Sequence, residues 1–569
     1  MAGLGVQESL RTGETAVAPE RHGAPSLARS FFVWGAAIYV LTTLAVVAVA
    51  VLRTDGHLVY VIDDPAIHLS VAQNLADHGT WGVVPGEFQS ASSSPLWTVL
   101  LAAWIKVVPG PVALAPLALN VAAGLGVIAA IAANQRVLQP GRRRPLDVLA
   151  VVALVDVILF LPGLAMTGME HTLHIALLLP AVALLHADAT GRPRAGPPWL
   201  PYLLLGLATL TRFETLFVAV AIGVALLVAP PPGVGDRPGA RVRGPALAVL
   251  SSLVPLAMFC LFNRLMGQGW LPNSVSAKAA TNGSTPAGTI EQAFTRFGED
   301  PLVAGLAGVA AVGLILAWRQ RTAWTFPAMV LVASVGLHML FARIGWYHRY
   351  QAYLIALGVY LVLWLIADQL PASRLPPARA FAAAGLVGVL LLFSGNKPSA
   401  TVRAYDAAAQ TYEQRYQAAR FLSRYYQGRP IATGELGYIS LFHDGHLTDV
   451  FGLGDYEVLQ AWRGPNEPPG QDFWRDIAER RGFEVVVVYP ITLYRHVPDT
   501  WISVGTWDLD RAVTTAYEAE LEFFATTPEA VDPLLDHLRE FEQELPAGVI
   551  TRLNPLAELR ADELSRGAA

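Results

Sequence analysis

The chain has 569 residues, of which 53% are hydrophobic and only 15% are charged, and its mean hydropathy is +0.42. Soluble globular proteins carry roughly 25% charged residues, so this composition indicates a polytopic membrane protein. The 49 glycines and 40 prolines are too few for a mainly disordered chain. The single cysteine, Cys260, excludes an intrachain disulfide and any cysteine-based metal cluster.

Charge divides the chain into two parts. Residues 400–569 hold 27 of the 45 acidic residues and 15 of the 40 basic residues, which is a net charge of −12. The rest of the chain carries +7. This asymmetry indicates a basic membrane part and a separate acidic domain in water. We expect no nucleic-acid partner, because the acidic part has no basic stripe and the other basic residues lie between apolar runs.

Eleven apolar runs predict eleven transmembrane helices. The first, residues 31–52, has no charge and is long enough for a bilayer that needs about 20 apolar residues. The arginine-rich connections all face the cytoplasm, as the positive-inside rule requires, if residues 95–108 form a juxtamembrane or re-entrant helix. The other ten runs lie near residues 112–134, 147–162, 171–186, 199–211, 213–229, 244–263, 302–318, 324–342, 350–368 and 380–394.

This topology predicts a multi-pass membrane protein with three parts. Only three of the 40 basic residues are lysines, a bias that favours a high-GC bacterium and hence the bacterial inner membrane. Residues 1–30 form a disordered cytoplasmic tail, and residues 31–395 form the transmembrane domain, with a first outer loop at 53–111. Residues 396–569 form a soluble extracytoplasmic α/β domain. In that domain an amphipathic helix is expected over 400–427, and the segments RPIAT, HLTDVF and EVVVVYP are expected as strands.

The first outer loop carries two adjacent acids. Asp64 is followed by Pro65, a pattern that predicts a helix start with Asp64 as its N-cap. A capping role accounts for Asp64 alone. The adjacent carboxylate of Asp63 would repel that of Asp64 unless a cation, a hydroxyl group or a metal compensates its charge. His68 lies one turn beyond Asp64, which allows a metal site but favours a solvated histidine. Glu87 is the further carboxylate candidate of this loop.

Polar residues recur where the predicted spans meet the outer loops. Arg212 and Glu214 share one short connection, where they either neutralise each other or bind an anion. Basic residues next to aromatic residues at an interface are also typical of an anchoring belt. The candidate substrate-binding residues of these segments are Glu170, His171, Arg212, Asn273, Lys278, His348 and Arg349.

These carboxylates, cations and aromatic rings suit a lipid phosphate as substrate. Arginine and lysine would hold the phosphate and stabilise it as a leaving group, and a carboxylate would take the proton of an acceptor hydroxyl. The phosphate leaves as an anion, so one catalytic base is sufficient. The motifs GxxxxGK[ST], HExxH and GxSxG are absent, which disfavours an ATPase, a zincin and an ordinary serine hydrolase.

The order of these motifs resembles the GT-C superfamily, the multi-span glycosyltransferases that use polyprenyl-phosphate sugars. The resemblance is nearest to the bacterial arabinofuranosyltransferase-like branch and related uncharacterised members, and it covers residues 60 to about 455. The matching segments are IDDPAIHLSVAQNLADHG, WGVVPGE, SSSPLW, TGMEHTLH, LTRFETL, LPNSVSAKA, RYQAYLIAL and ATGELGYISLFHDGHLTDVFGLGD.

The resemblance implies an inverting hexosyl or pentosyl transfer to an extracytoplasmic acceptor, which is a cell-envelope glycan, a lipid or a protein. The polyprenyl-phosphate sugar is the donor, and a divalent metal is left open. By matching position, Asp63 or Asp64 would be the general base, and Arg212, Lys278 and Arg349 would surround the lipid phosphate.

The branch and the activity both leave alternatives. Where arabinofuranosyltransferase-like members often carry arginine and tyrosine, this chain has His68, Leu69 and Ser70, so the donated sugar is left open. A flippase for a lipid-linked sugar, or a catalytically inactive glycan-binding protein, would use the same outer residues. A transporter predicts an internal repeat and polar residues in mid-span, of which Asp156 is the clearest.

Overall fold

The computed structural model of the chain describes residues 24–134, 150–232, 238–279, 286–317, 324–369, 388–464, 468–493 and 496–567. Helices dominate this part, and six strands form one sheet near the C-terminus. The helices are α1 (Ala24–Arg53), α2 (Asp64–His78), α3 (Pro95–Val107), α4 (Leu114–Asn134), α5 (Leu161–Met166), α6 (His171–Ala189), α7 (Leu200–Thr211), α8 (Thr215–Val228), α9 (Pro238–Leu265), α10 (Asn273–Ala279), α11 (Pro286–Glu299), α12 (Pro301–Ala317), α13 (Thr325–Phe341), α14 (Ala352–Gln369), α15 (Lys397–Val402), α16 (Ala404–Thr411), α17 (Gln417–Tyr425), α18 (Leu436–Phe442), α19 (Tyr456–Ala461), α20 (Gln471–Arg481), α21 (Pro490–Leu493), α22 (Val531–Glu542) and α23 (Ala557–Gly567). The strands are β1 (Ile431–Thr433), β2 (Leu447–Asp449), β3 (Val485–Val488), β4 (Ile502–Leu509), β5 (Glu520–Ala525) and β6 (Val549–Leu553), and the described residues include two π-helical turns, Ala153–Ile158 and Tyr412–Tyr416.

Four helices of the described chain, α1, α4, α6 and α9, are long and apolar enough to cross a membrane. The number is five if α11 and α12, which meet at a bend of 104°, form one broken span. The prediction of eleven spans is therefore not confirmed. Within the described residues, six other apolar helical stretches have 10–17 residues. The last predicted run, 380–394, lies partly outside the described residues.

Two predicted segments of the membrane part can be compared in detail. The predicted tail, 1–30, overlaps the start of α1 at Ala24, and residues 1–23 lie outside the described part. The segment predicted as a juxtamembrane or re-entrant helix is α3, which has 13 residues and is therefore roughly 20 Å long. That length is shorter than the hydrocarbon core of a bilayer, which is about 30 Å thick.

The C-terminal domain, residues 396–569, is built on the sheet, as the sequence predicts. Strand order is β2-β1-β3-β5-β4-β6, with β1 parallel to β2 and β3, and the remaining neighbours antiparallel. Alternate residues of the all-valine strand β3 enter different cores, Val485 and Val487 on one face and Val486 and Val488 on the other. Both faces of this central strand are covered, which explains its uninterrupted apolar sequence.

The first loop, residues 53–111, shares a hydrophobic core with the C-terminal domain. Ala66, Ile67 and Val71 of α2 belong to the same buried cluster as Ile439 of α18 and Val487 of β3. Burial of apolar surface is the main favourable contribution to folding, so this continuous core fixes the C-terminal domain against α2. We call this contact the junction. It places the helix that begins at Asp64 between the membrane part and the sheet.

Candidate active site

Asp63 caps a helix of the C-terminal domain from across the junction. Gly437 N–H donates to Asp63 Oδ2 at 2.5 Å, and Tyr438 N–H donates to Asp63 Oδ1 at 3.0 Å. These are the second and third N–H groups of α18, the ones that an N-cap side chain normally satisfies. The residue at the N-cap position of α18, Glu435, makes no cap hydrogen bond with its own side chain. Asp63 thus supplies the cap that α18 lacks.

A buried ion pair lies behind this cap. Arg415 Nε is 2.7 Å from Glu435 Oε2, and the two side chains are only 4% and 6% exposed. Arg415 belongs to the π-helical turn Tyr412–Tyr416, and such turns often mark functional positions. Burial raises the pKa of Asp63, and the charge of Arg415 and the two backbone hydrogen bonds oppose this rise. Asp63 is thus a largely buried carboxylate, 9% exposed, whose two oxygens both bind the start of α18.

Asp64 has a different environment from its neighbour. Its side chain is 35% exposed, and Oδ2 accepts a hydrogen bond from Nη2 of Arg349, whose side chain is only 2% exposed. The helix α2 begins at Asp64, and the N-cap position is Asp63, one residue earlier than predicted, with no side-chain cap hydrogen bond within α2. The adjacent acids are thus compensated separately, Asp63 by a helix N-terminus and Asp64 by an arginine.

Arg349 follows a turn with an unusual backbone. Residues 345–348 all have φ between 45° and 86°, and three of them are not glycine. The left-handed conformation costs a residue with a side chain roughly 1–2 kcal/mol. Gln351 closes the turn, because its Oε1 accepts from Gly345 N–H at 3.0 Å and its Nε2 donates to Asp300 Oδ2 at 2.8 Å. Lys397, 3.7 Å from the same carboxylate oxygen, balances the charge of Asp300.

A second buried arginine approaches the first through one aromatic ring. The Cζ atoms of Arg212 and Arg349 lie 5.6 and 4.9 Å from the ring centroid of Tyr350. The phenol oxygen of Tyr350 also accepts a hydrogen bond from Arg349 at 3.1 Å. We call Arg212 and Arg349 the arginine pair. The shared ring holds two positive charges near each other, a geometry suited to an anion with several oxygen atoms.

The carboxylates around Arg212 come from two helix starts. Arg212 Nη1 donates to Glu170 Oε1 at 2.7 Å and lies 2.9 Å from His171 Nε2, and Nη2 pairs with Glu214. Arg212 thus neutralises Glu214 and Glu170, and its binding of an anion stays a prediction. Burial raises the pKa of Glu170, but the positive charges of Arg212 and His68 lower it by more. The pKa of Glu170 therefore lies below its usual value.

The arginine pair retains unused hydrogen-bond donors. Within the described part of the chain, Arg349 Nε and Nη1 and Arg212 Nε have no hydrogen-bond partner. Buried polar groups are normally satisfied, and an unsatisfied one costs about 1–3 kcal/mol. A bound anion would supply the missing acceptors.

The position of His68 corrects a prediction. The sequence favours a solvated histidine, but this residue is only 5% exposed. Its Nδ1 lies 3.2 Å from Ser92 Oγ and 3.5 Å from Thr98 Oγ1. The buried side of α2 is wider than its sequence indicates, because α3 and the C-terminal domain cover it from two sides. Among the described residues, no group of three or more His, Cys, Asp or Glu side chains is placed to hold a metal ion.

The remaining candidates do not join the arginine pair through hydrogen bonds within the described chain. Glu87 pairs with His446 of the C-terminal domain at 3.1 Å, so it belongs to the junction. Asn273 is fully buried, and its backbone N–H donates to Ser90 O at 3.1 Å. His348 packs edge-on against Phe160 at 5.6 Å. The side chain of Lys278 lies outside the described residues.

Sequence reasoning misses three contributors to the site. Tyr350 stands out in the sequence only as one of several interfacial aromatic residues, Gly437 only as part of a matching segment, and Arg415 does not stand out at all. The signal for Gly437 is its place in the segment GELGY, because a Cβ atom there would collide with the side chain and the backbone oxygen of Asp63. This sequence signal is weak, because a glycine two residues after an acid occurs in many loops. Only the fold brings it against Asp63.

Comparison with known proteins yields three findings. A model for a domain of unknown function, DUF8728, matches residues 403–524. No curated protein matches the chain. Several solved structures are similar to the chain. One is the oligosaccharyltransferase AglB from Archaeoglobus fulgidus, in complex with an inhibitory peptide and a dolichol-phosphate, with 12% identity, a TM-score of 0.49 and coverage of 94% of this chain and 78% of that one. Another is ArnT from Cupriavidus metallidurans bound to undecaprenyl phosphate, with 15% identity, a TM-score of 0.48 and coverage of 86% of this chain and 98% of that one. These scores are low, so the function is argued from the site itself.

Gly437→Ala tests the cap that Asp63 provides. The new methyl group would push the carboxylate off α18, because a Cβ atom on Gly437 would overlap both the carboxylate and the backbone oxygen of Asp63. We expect a loss of about 1–3 kcal/mol in stability, seen as a lower midpoint of thermal unfolding and faster proteolysis at the junction. Gly470→Ala is the matched control, because no atom lies within 4 Å of its Cβ position. Equal midpoints for the two variants would contradict the cap.

The buried carboxyl group of Glu435 makes the stability of the fold depend on pH. Burial raises the pKa of Glu435 from 4.5 to about 7 against the charge of Arg415, and the charge of Asp63 adds to the rise. The folded state therefore binds this proton more tightly than the unfolded chain, and the stability that it contributes is full below pH 4.5 and is lost as the pH rises through about 7.

Glu435→Gln removes this titration. We expect the difference in unfolding midpoint between wild type and the variant to change between pH 4.5 and about 7 and to level off above. Glu558→Gln, at a carboxylate with a side chain that is 62% exposed, serves as the control. A difference that stays constant over this pH range would show that Glu435 does not titrate there.

Proposed function

We propose that this chain is a glycosyltransferase that moves a sugar from a polyprenyl-phosphate donor to the hydroxyl group of an acceptor. The observation that carries the proposal is the pairing of a partly exposed carboxylate, Asp64, with a buried arginine, Arg349, that shares the ring of Tyr350 with a second buried arginine. The site lies at the ends of apolar helices, where the phosphate of a membrane lipid would be found.

In the proposed reaction the donor phosphate binds to the arginine pair. A phosphate oxygen would take the place of Asp64 on Arg349, and the unused N–H groups of the arginine pair would satisfy the remaining oxygens. Asp64 would then be released from its positive partner. A carboxylate without a cation beside it is a stronger base, so donor binding would activate Asp64.

The chemical step is a displacement at the anomeric carbon of the donor sugar. The acceptor oxygen forms a bond to this carbon, and the bond from the carbon to the phosphate oxygen breaks with inversion. The acceptor proton passes to Asp64, and the electron pair leaves with the phosphate, whose negative charge the arginine pair stabilises. The proposal assigns this task to Asp64 and not to Asp63, because Asp63 is only 9% exposed, whereas 35% of the Asp64 side chain is exposed.

The finer parts of the proposal follow the family resemblance. They are a location in the bacterial inner membrane with the C-terminal domain outside, an arabinofuranosyltransferase-like relationship, and an acceptor that belongs to the cell envelope. Lys278 remains a proposed further ligand of the phosphate. A divalent metal is left open as a further partner of the phosphate.

Asp64→Asn tests this function. The full chain, purified in lipid nanodiscs, is given a total lipid extract of the source cells, and release of polyprenyl phosphate is followed by mass spectrometry. We expect the variant to be slower by about 10²- to 10⁴-fold, the usual contribution of a general base, and to retain a polyprenyl-phosphate sugar that the wild type consumes.

Glu87→Gln is the matched control, because this carboxylate lies in the same loop and contacts His446 instead of the arginine pair. It should leave the release rate unchanged. If Asp64→Asn releases polyprenyl phosphate as fast as wild type, Asp64 is not the base. If neither protein turns over or retains a lipid-linked sugar, the transferase proposal fails, and a flippase or a glycan-binding protein is favoured.

A further inference from the structure

An aromatic cluster lies where the C-terminal domain meets the turn that precedes Arg349. Tyr517 comes from the segment between β4 and β5 of the C-terminal domain, and 56% of it is exposed. Its ring centroid lies 5.2 Å from that of Trp346, which belongs to the membrane part and is 37% exposed, and 6.0 Å from that of Phe451, which is half-buried. The ring of Tyr517 is tilted by 38° against Trp346 and by 34° against Phe451.

This cluster is close to the proposed catalytic carboxylate. Trp346 lies three residues before Arg349, whose guanidinium group pairs with Asp64. Thr515, two residues before Tyr517, donates a hydrogen bond to the backbone oxygen of Val61, which lies two residues before Asp63. Both contacts place the cluster next to the start of α2.

The segment that carries Tyr517 is held in place by polar contacts. Gln410 accepts from Thr514 N–H at 2.7 Å and donates to Ala512 O at 2.9 Å. Arg415 donates to Thr515 O at 3.2 Å, and Thr515 Oγ1 donates to Val61 O of the first loop at 2.6 Å. An exposed aromatic ring on a segment fixed so closely loses little conformational freedom when it binds a ligand.

Exposed rings grouped in this way indicate a binding surface for a ligand with an apolar face and polar edges. We propose that Tyr517, Trp346 and Phe451 form a platform that stacks on a carbohydrate ring placed beside Asp64. A sugar presents C–H groups to the ring faces, while its hydroxyl groups meet the charged groups that border the platform. This inference rests on the proposed function for the identity of its ligand, and it assigns sugar recognition to the C-terminal domain.

The test uses the full chain in nanodiscs and saturation-transfer-difference NMR with methyl glycosides of D-glucose, D-galactose, D-mannose and L-arabinose. We expect wild type to transfer saturation to the ring C–H protons of at least one glycoside. Tyr517→Ala should weaken that binding about five- to tenfold, and Tyr517→Phe, which keeps the ring, should stay within about twofold of wild type. Trp199→Ala is the control, because this ring lies elsewhere in the chain and is 59% exposed; the variant should leave glycoside binding unchanged.

Two results would overturn the platform. One is saturation transfer from wild type to none of the glycosides, and the other is equal transfer in wild type and Tyr517→Ala. The source of the sugar is read from the lipids that co-purify with the double variant Asp64→Asn/Tyr517→Ala. If the double variant retains the lipid-linked sugar as Asp64→Asn does, the platform binds the acceptor; if the double variant loses it, the platform binds the donor. If Asp64→Asn leaves lipid turnover intact while Tyr517→Ala still weakens glycoside binding, the platform stands without the transferase.

Discussion

The hydrogen bonds from the first turn of α18 to the carboxylate of Asp63 fix the relation between the two halves of the molecule. A carboxylate at a helix N-terminus is stabilised both by the N–H groups and by the helix dipole. Because Asp63 immediately precedes Asp64, the contact that docks the C-terminal domain also sets where α2 begins and where its first carboxylate lies. Loss of the C-terminal domain would thus remove the support of the proposed base.

The neighbouring acids show how position in the fold separates two equivalent side chains. Asp63 is enclosed and satisfied by backbone donors, so it holds structure, whereas Asp64 is partly exposed and meets a guanidinium group that other anions also bind. On the other side of Asp64, the left-handed turn of residues 345–348 presents Arg349. Strained backbone of this kind persists where surrounding contacts hold it, and here Gln351 and Asp300 do so.

The sequence predicts local elements and motifs better than it predicts the distant residues that they contact. Hydrophobic periodicity identifies the strands β1, β2 and β3 and the short helix α3, since these signals lie within a few consecutive residues. The motifs at the span ends also mark Glu170, His171, Arg212 and Arg349. The sequence does not reveal that Asp63 caps α18 or that His68 is buried, because the contacting residues lie 24 to 375 positions away in the chain. The eleven predicted spans exceed the helices of the described residues that are long enough to cross a membrane, since an apolar run does not fix helix length.

The central claim is that the arginine pair binds a lipid phosphate and thereby releases Asp64. It is tested most directly by a cryo-electron-microscopy structure of the full chain in nanodiscs with added undecaprenyl phosphate. The account predicts phosphate density within hydrogen-bond distance of Arg212 and Arg349, with the ion pair between Arg349 and Asp64 broken. Phosphate bound away from both arginines, or bound there with this ion pair intact, would contradict the account.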